Sequence, residues 1–392
     1  MPGEPEVQDL IDGLLARCNP AVEAAEDFLG AQFDLGLAWV HFDQGCGGLG
    51  LSPKLQKAIE ERLYGAGAPH PYLRNPVGYG PVAPTIHTHG RPEQRQRYLR
   101  PLFTGEEIWC QLFSEPGAGS DLASLATRAI PDGDQWIVNG QKVWTTMAHR
   151  ARWGLLLART DTEARKHAGI TCFIVDMRSP GVEVRPLYQM TGGAEFNEVY
   201  LTDVAVGDGQ RLGGTGEGWR VSMTTMANDR VAIGGKIRPR GGGVIGKAVD
   251  IYRQRGDVAP AARVRLMQLW VRAEVLRLTN LRAQHLRARG DPGPDSAIAK
   301  IMSTELNQAI SSFAVDLLGP EGMLKPDGYA RARPEEAGHW ENPQHAFLRS
   351  RANSLEGGTT EILKNVLGDR VLGLPGDVRV DRDLPWSQVP RG

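Results

Sequence analysis

The sequence predicts an α+β fold: a helical N-terminal domain (1–106), a middle antiparallel β-sheet or barrel domain (107–212), a C-terminal helical bundle (213–375) and an extended tail (376–392). Two changes in hydrophobic period carry that reading. Apolar residues recur every three or four positions up to about Glu106, alternate from Glu107 to Leu212, and return to helical spacing from Gly216. A third observation is that the middle segments are short, β-branched or aromatic, and separated by turns rather than helices, which opposes βαβ units and a Rossmann fold.

Val7 to Cys18 and Leu51 to Tyr64 read as amphipathic helices. The glycine run from Gly45 to Gly50 reads as an interhelical loop, because no strand precedes it and the Gly-x-Gly-x-x-Gly spacing is not kept. The expected strands are Ile108–Phe113, Trp136–Asn139, Lys142–Trp144, Trp153–Arg159, Thr171–Asp176, Val182–Pro186 and Phe196–Val206, with a hairpin turn at Asn139-Gly140. Further on, Leu266, Leu269, Ala273 and Leu276 form one helical stripe, and Met302, Leu306, Ile310, Phe313 and Leu317 another. Arg289 to Pro294 breaks the chain between them, and beyond Leu374 a Pro-rich charged tail reads as extended or mobile.

With 392 residues, the chain has length for two or three domains of roughly 100 to 200 residues each. Lys plus Arg (45) nearly balance Asp plus Glu (46), so no basic field argues for nucleic acid, and an anionic ligand must be met locally. Four cysteines without Cys-x-x-Cys spacing oppose a zinc site or a disulfide scaffold, and no metal site is expected. No apolar run reaches the ~18 residues of a membrane span and the start is acidic, so a cytoplasmic chain without membrane contact is expected.

The most informative stretch runs from Gln111 to Asp121, Gln-Leu-Phe-Ser-Glu-Pro-Gly-Ala-Gly-Ser-Asp. Gly117 and Gly119 allow close backbone approach and positive φ, and Ser114 and Ser120 supply hydroxyls. A second cluster follows at Trp144-Thr145-Thr146, where a strand ends in two more hydroxyls.

Together these residues resemble the acyl-CoA dehydrogenase family, in which a Thr/Ser-Glu-Pro-x-Ala-Gly-Ser-Asp loop and a Trp-x-Thr/Ser strand end hold FAD. The resemblance runs from about Trp39 to Pro375, including the ending Val371-Leu-Gly-Leu-Pro375, and implies a four-helix bundle at the C-terminal end. It assigns Phe113, Ser114, Gly119, Ser120, Trp144, Thr145 and Thr146 to the flavin, with Trp144 and Thr146 beside the isoalloxazine ring. Thr359 and Glu361 match the segment near adenine and phosphates, and Gly319 and Gly322 a turn that receives a neighbour's flavin. Ser120, Arg230 and Gly357 fall near the substrate. An acyl-CoA substrate, an electron acceptor such as an electron-transfer flavoprotein, and a homo- or heterotetramer or dimer are further implications.

Desaturating a thioester needs a carboxylate to take the α-proton and donors on the thioester oxygen. Two positions compete. In most of the family a glutamate immediately precedes a Gly-Thr pair near the C-terminus, but here Gly357 precedes Gly358-Thr359 and Glu356 stands one residue early. A smaller group carries its glutamate just before an arginine in the first long C-terminal helix, and Asp229 stands there before Arg230. Aspartate is one methylene shorter, and an offset of about 1 Å costs about a hundredfold in rate. The family's Arg-x-x-Phe-Gly element is also replaced by Tyr252-Arg253-Gln254-Arg255-Gly256, without the phenylalanine. These departures leave open a non-catalytic or co-catalytic subunit of a heterotetramer, and the fold also hosts flavin monooxygenases.

Overall fold

The computed structural model describes residues 3–234, 237–256, 258–288, 295–326, 342–376 and 383–390, with 328, 378 and 381. Its N-terminal helices are α1 (Glu4–Arg17), α2 (Ala25–Asp34), α3 (Gln56–Gly65), α4 (Pro71–Arg74), α5 (Ala83–His89) and α6 (Pro92–Thr104). Local chemistry sets the limits of α6. Pro92 fits the first turn, where no N–H is needed; the Gln94 side chain accepts from the Arg91 N–H at 3.0 Å; and Gly105 ends the helix at φ 78°. Its buried face, Tyr98, Leu99, Leu102 and Phe103, joins one core with Trp109, Trp153, Leu155 and Val221, so α6, part of the sheet and the start of the C-terminal helices share that core. The Gly45–Gly50 segment is a loop, as expected; a Cβ on Gly48 would lie 2.2 Å from the Phe42 carbonyl oxygen.

The strands are β1 (Trp109–Leu112), β2 (Arg128–Asp132), β3 (Gln135–Lys142), β4 (Trp153–Arg159), β5 (Ile170–Asp176), β6 (Val182–Leu187), β7 (Phe196–Gly207) and β8 (Arg211–Leu212). They form one sheet in the order β6-β7-β3-β2-β4-β5-β8, with β1 added against β4. The sheet is mixed rather than wholly antiparallel. β1 runs parallel to β4, pairing Trp109 with Trp153, and β2 touches β4 in parallel at Arg128 and Arg159. The expected hairpin at Asn139-Gly140 is also corrected. β3 passes straight through that pair with a register shift opposite β7, and the hairpin lies earlier, at Gly133 (φ 63°) between β2 and β3. Gly140 answers a close approach instead: a Cβ there would lie 2.3 Å from Thr127 Oγ1. The Asn139 side chain donates to the Asp203 carboxylate at 2.9 Å and accepts from the Asp203 backbone N–H at 3.0 Å, and so stays in the sheet. β2 escaped the sequence reading because Arg-Ala-Ile-Pro-Asp carries a proline and little alternation.

The C-terminal helices are α7 (Gly218–Gly234), α8 (Val244–Arg255), α9 (Pro260–Ala288), α10 (Asp295–Leu318), α11 (Pro343–Ser350) and α12 (Thr360–Arg370). Both predicted stripes face inward: Leu266, Leu269, Ala273 and Leu276 of α9 meet Leu306, Ile310, Phe313 and Leu317 of α10, with Ile245 and Ala248 of α8. The break at 289–294 lies outside the described residues. The tail departs from expectation where it is described. Trp386 is buried under the Arg159 guanidinium, 4.7 Å from ring centre to Cζ, and the Trp386 and Ser387 N–H groups donate to Ala164 and Thr162 at 2.9 Å. One aromatic anchor thus outweighs the Pro-rich, charged composition of its surroundings. No helix among the described residues is long and apolar enough to cross a membrane.

Candidate active site

β1 delivers the chain to the loop that starts at Phe113, and paired backbone bonds between Glu115 and Ala118 (3.1 and 3.0 Å) fold it back on itself. Gly117 and Gly119 face open space, with no atom within 4 Å of a built Cβ; neither has the positive φ that their residue type allowed. Ser114 is half-buried, and Ser120 is exposed at the rim. Beneath the loop, Lys142 is fully buried, and its Nζ donates to the Phe113 carbonyl at 3.0 Å and to Glu115 Oε1 at 2.8 Å.

The strand end lies alongside. Val143 N–H donates to the Ser114 carbonyl at 2.9 Å. Trp144 sits at φ 60°, uncommon for a bulky side chain, and remains 58% exposed with its ring edge against Phe196. The clamp that holds this conformation is Asn197, whose backbone exchanges bonds with Thr145 at 3.0 Å in both directions. Thr145 itself is completely buried, and its hydroxyl has no hydrogen-bond partner among the described residues. Trp144 and Thr146 are therefore the accessible members of this trio, and Thr145 is enclosed.

The C-terminal arm reaches the same place. Arg349 pairs with both oxygens of Glu356, at 3.1 and 2.6 Å, and Asn353 donates to Glu356 Oε1 at 2.6 Å. The same guanidinium lies 5.6 Å from the Phe196 ring centre and 3.9 Å from Glu195, which joins the arm to the strand end. Gly357 and Gly358 follow at φ 64° and 95°, a reversal that side-chain-bearing residues resist. Thr359 caps α12 through its hydroxyl, which accepts from Ile362 N–H at 3.2 Å, and Glu361 is exposed in the first turn.

Other expected residues lie on other elements. Gly319 (φ 60°) and Gly322 end α10, where a Cβ on Gly322 would meet the Val315 carbonyl at 2.6 Å. Arg255 donates to the Leu318 carbonyl and so closes that helix end, and Arg253 is exposed. α7 is docked through Thr225 Oγ1 to Thr85 Oγ1 of α5 at 3.0 Å and through Thr224 to His89 at 2.8 Å. Asp229 and Arg230 follow on α7, and their side chains lie outside the described residues.

Open glycines, accessible hydroxyls and a large exposed indole beside a buried cation fit a planar, polar-edged cofactor such as a flavin. Sequence reasoning missed Lys142, Glu115, Asn197, Glu195 and Arg349. Lys142 had left a signal, since it shares strand parity with the buried Val138. Among the described residues no group of three His, Cys, Asp or Glu side chains could hold a metal.

The fold defines a class, the acyl-CoA dehydrogenases, whose members are flavoprotein oxidoreductases. The N-terminal, middle and C-terminal domain models of that family match residues 11–106, 110–204 and 216–372. Acyl-CoA dehydrogenase IpdE1 of Mycobacterium tuberculosis is 36% identical over 88% of this chain and 86% of its own length. The chain belongs to the acyl-CoA dehydrogenase family. Acyl-CoA dehydrogenase FadE34 of the same organism is 40% identical over 84% of this chain, which spans only 43% of that longer protein. The ChsE4-ChsE5 complex from Mycobacterium tuberculosis superposes with a TM-score of 0.70 at 25% identity, covering 96% of this chain and 99% of the matched one.

Proposed function

We propose that the chain binds FAD between the Phe113–Asp121 loop and the Trp144–Thr146 strand end and desaturates an acyl-CoA thioester. The observation that carries this reading is that the strand end meets the loop through Val143 and Ser114 and meets the C-terminal arm through Phe196 and Arg349. Bound FAD would supply the two-electron acceptor for the β-hydride. The chain's own tasks are to hold the ring against Trp144, to present Ser114, Ser120 and Thr146 as hydrogen-bonding groups, and to remove the α-proton.

We assign that proton transfer to Asp229. Glu356 has both oxygens engaged by Arg349 and Asn353, so proton uptake there competes with three charge-assisted bonds. Asp229 follows on the helix that Thr225 and Thr224 dock against α5. Arg230 and Gly357 are assigned to the substrate side, and Gly319, Gly322, Thr359 and Glu361 to the distal part of FAD. A separate acceptor, such as an electron-transfer flavoprotein, would be the partner that takes up the electrons.

A multimer is part of the reading. Val264, Met267, Val271, Val275 and Leu278 form a stripe along α9, each between 46% and 59% exposed. Such a stripe on a long helix suits association with another chain of this family. Glycine at position 357, with Glu356 paired, also favours a second reading, in which a homologous partner supplies part of the chemistry. The test is to purify the protein, reconstitute it with FAD and add a panel of CoA thioesters without oxygen. Loss of the flavin's visible absorption with at least one thioester is expected. Protein that cannot be loaded with FAD sinks the proposal, whereas loaded protein that bleaches only after co-expression with a homologue selects the second reading.

A further inference from the structure

We propose that the buried Lys142–Glu115 pair is a positioning device for the flavin: it turns the Phe113 carbonyl inward and thereby fixes the direction of the Ser114 amide. The inference rests on the flavin reading of this loop.

Lys142 is the last residue of β3, and its side chain has no solvent exposure. An ammonium in such a place is costly unless it is paired and hydrogen-bonded. Glu115 answers it at 2.8 Å with a side chain only 9% exposed. The same carboxylate accepts from the Ala126 and Thr127 N–H groups at 2.7 and 2.9 Å, so it also ties down the chain leaving the loop. Burial alone would push the Glu115 carboxyl up, but the Lys142 charge and these donors outweigh it and hold the carboxyl below its ordinary value. Entry, turn and exit of the loop are thus bound to one point beneath it.

What this does to the loop follows from peptide geometry. Lys142 Nζ donates to the Phe113 carbonyl at 3.0 Å, and in a trans peptide the next N–H points the opposite way. The Ser114 N–H therefore points away from Lys142. The Ser114 carbonyl is held by Val143 N–H and the Glu115 N–H by the Ala118 carbonyl, which leaves little freedom to rotate the intervening peptides. A donor fixed before the ligand arrives costs no reorganisation on binding, which suits an acceptor atom on a flavin ring.

A purely structural role predicts something different, and the two separate experimentally. Lys142→Met with Glu115→Gln removes both charges and leaves one amide oxygen, which can accept from only one of the Ala126 and Thr127 N–H groups because these bond different carboxylate oxygens. Apo stability, read as Tm, should stay within a few degrees of wild type, whereas FAD Kd by fluorescence quenching should rise about tenfold or more. Glu115→Gln alone takes the anchoring charge from Lys142 and should raise FAD Kd by about threefold or more. A double variant with wild-type Tm and wild-type FAD Kd overturns the inference. If the double variant does not fold, the single one decides: folded Glu115→Gln protein with wild-type FAD Kd contradicts it. Wild-type protein that takes up no FAD removes the underlying reading, and this one with it.

Discussion

The floor of the loop and the seam between sheet and C-terminal helices each rest on a carboxylate–cation pair, but in different surroundings. Lys142 and Glu115 have side chains 0% and 9% exposed; Arg349 and Glu356 are at 14% and 31%. The first pair is sealed inside one loop and its neighbouring strand. The second is partly wet and local in sequence, but its guanidinium also reaches Phe196 and Glu195 in a distant part of the chain. The same chemistry thus serves two ends. Enclosed, it shapes a backbone; at a seam, it registers one layer against another and leaves the loop's own geometry alone.

The strongest way to break this comparison is to remove one cation at a time. Lys142→Met should cost about 3–5 kcal/mol, seen as a lower urea midpoint, because Glu115 is left charged in a dry place. Trp386→Ala should cost less, about 2–3 kcal/mol, since the indole covers Arg159 from the tail. That tail is a third tie on the loop side, where Lys166 bridges Asp121 of the loop to Asp381. Arg349→Met should cost only about 1–2 kcal/mol, because Glu356 can regain water. Equal losses for Lys142→Met and Arg349→Met would erase the distinction. Smallest is Thr359→Ala, about 1 kcal/mol for a lost helix cap, measured by the same melts.

Acid sharpens the contrast. The Glu115 carboxyl is held below its ordinary value, so its stabilising contribution is complete above the unfolded value of about 4.3 and is lost as pH falls through the folded one. The stability gap between wild type and Glu115→Gln, from melts across pH, should therefore be full at neutral pH and close below about pH 4. A gap that widens in acid would have the wrong sign.

The fold was legible wherever periodicity is a property of one segment. The α9 and α10 stripes and most strands could be read because each buries one face. β2 and the parallel partnership of β1 with β4 could not, since pairing depends on residues distant in sequence. Asn139-Gly140 illustrates the same limit: its turn chemistry is real, but Asp203 and Thr127 recruit it into a strand. In the site, Ser114, Trp144 and Thr146 were visible because hydroxyls and glycines cluster locally. Arg349 and Glu195 were invisible because their meaning is a contact between domains.

The central claim is that a paired Glu356 holds structure while Asp229 takes the proton. Anaerobic bleaching of FAD-loaded Asp229→Asn and Glu356→Gln proteins by the thioester that bleaches wild type tests it most directly. Asp229→Asn should keep its flavin but bleach about 10²- to 10⁴-fold more slowly, and Glu356→Gln should bleach within about tenfold of the wild-type rate. Near-normal bleaching by Asp229→Asn, with Glu356→Gln inert though loaded, would contradict the account.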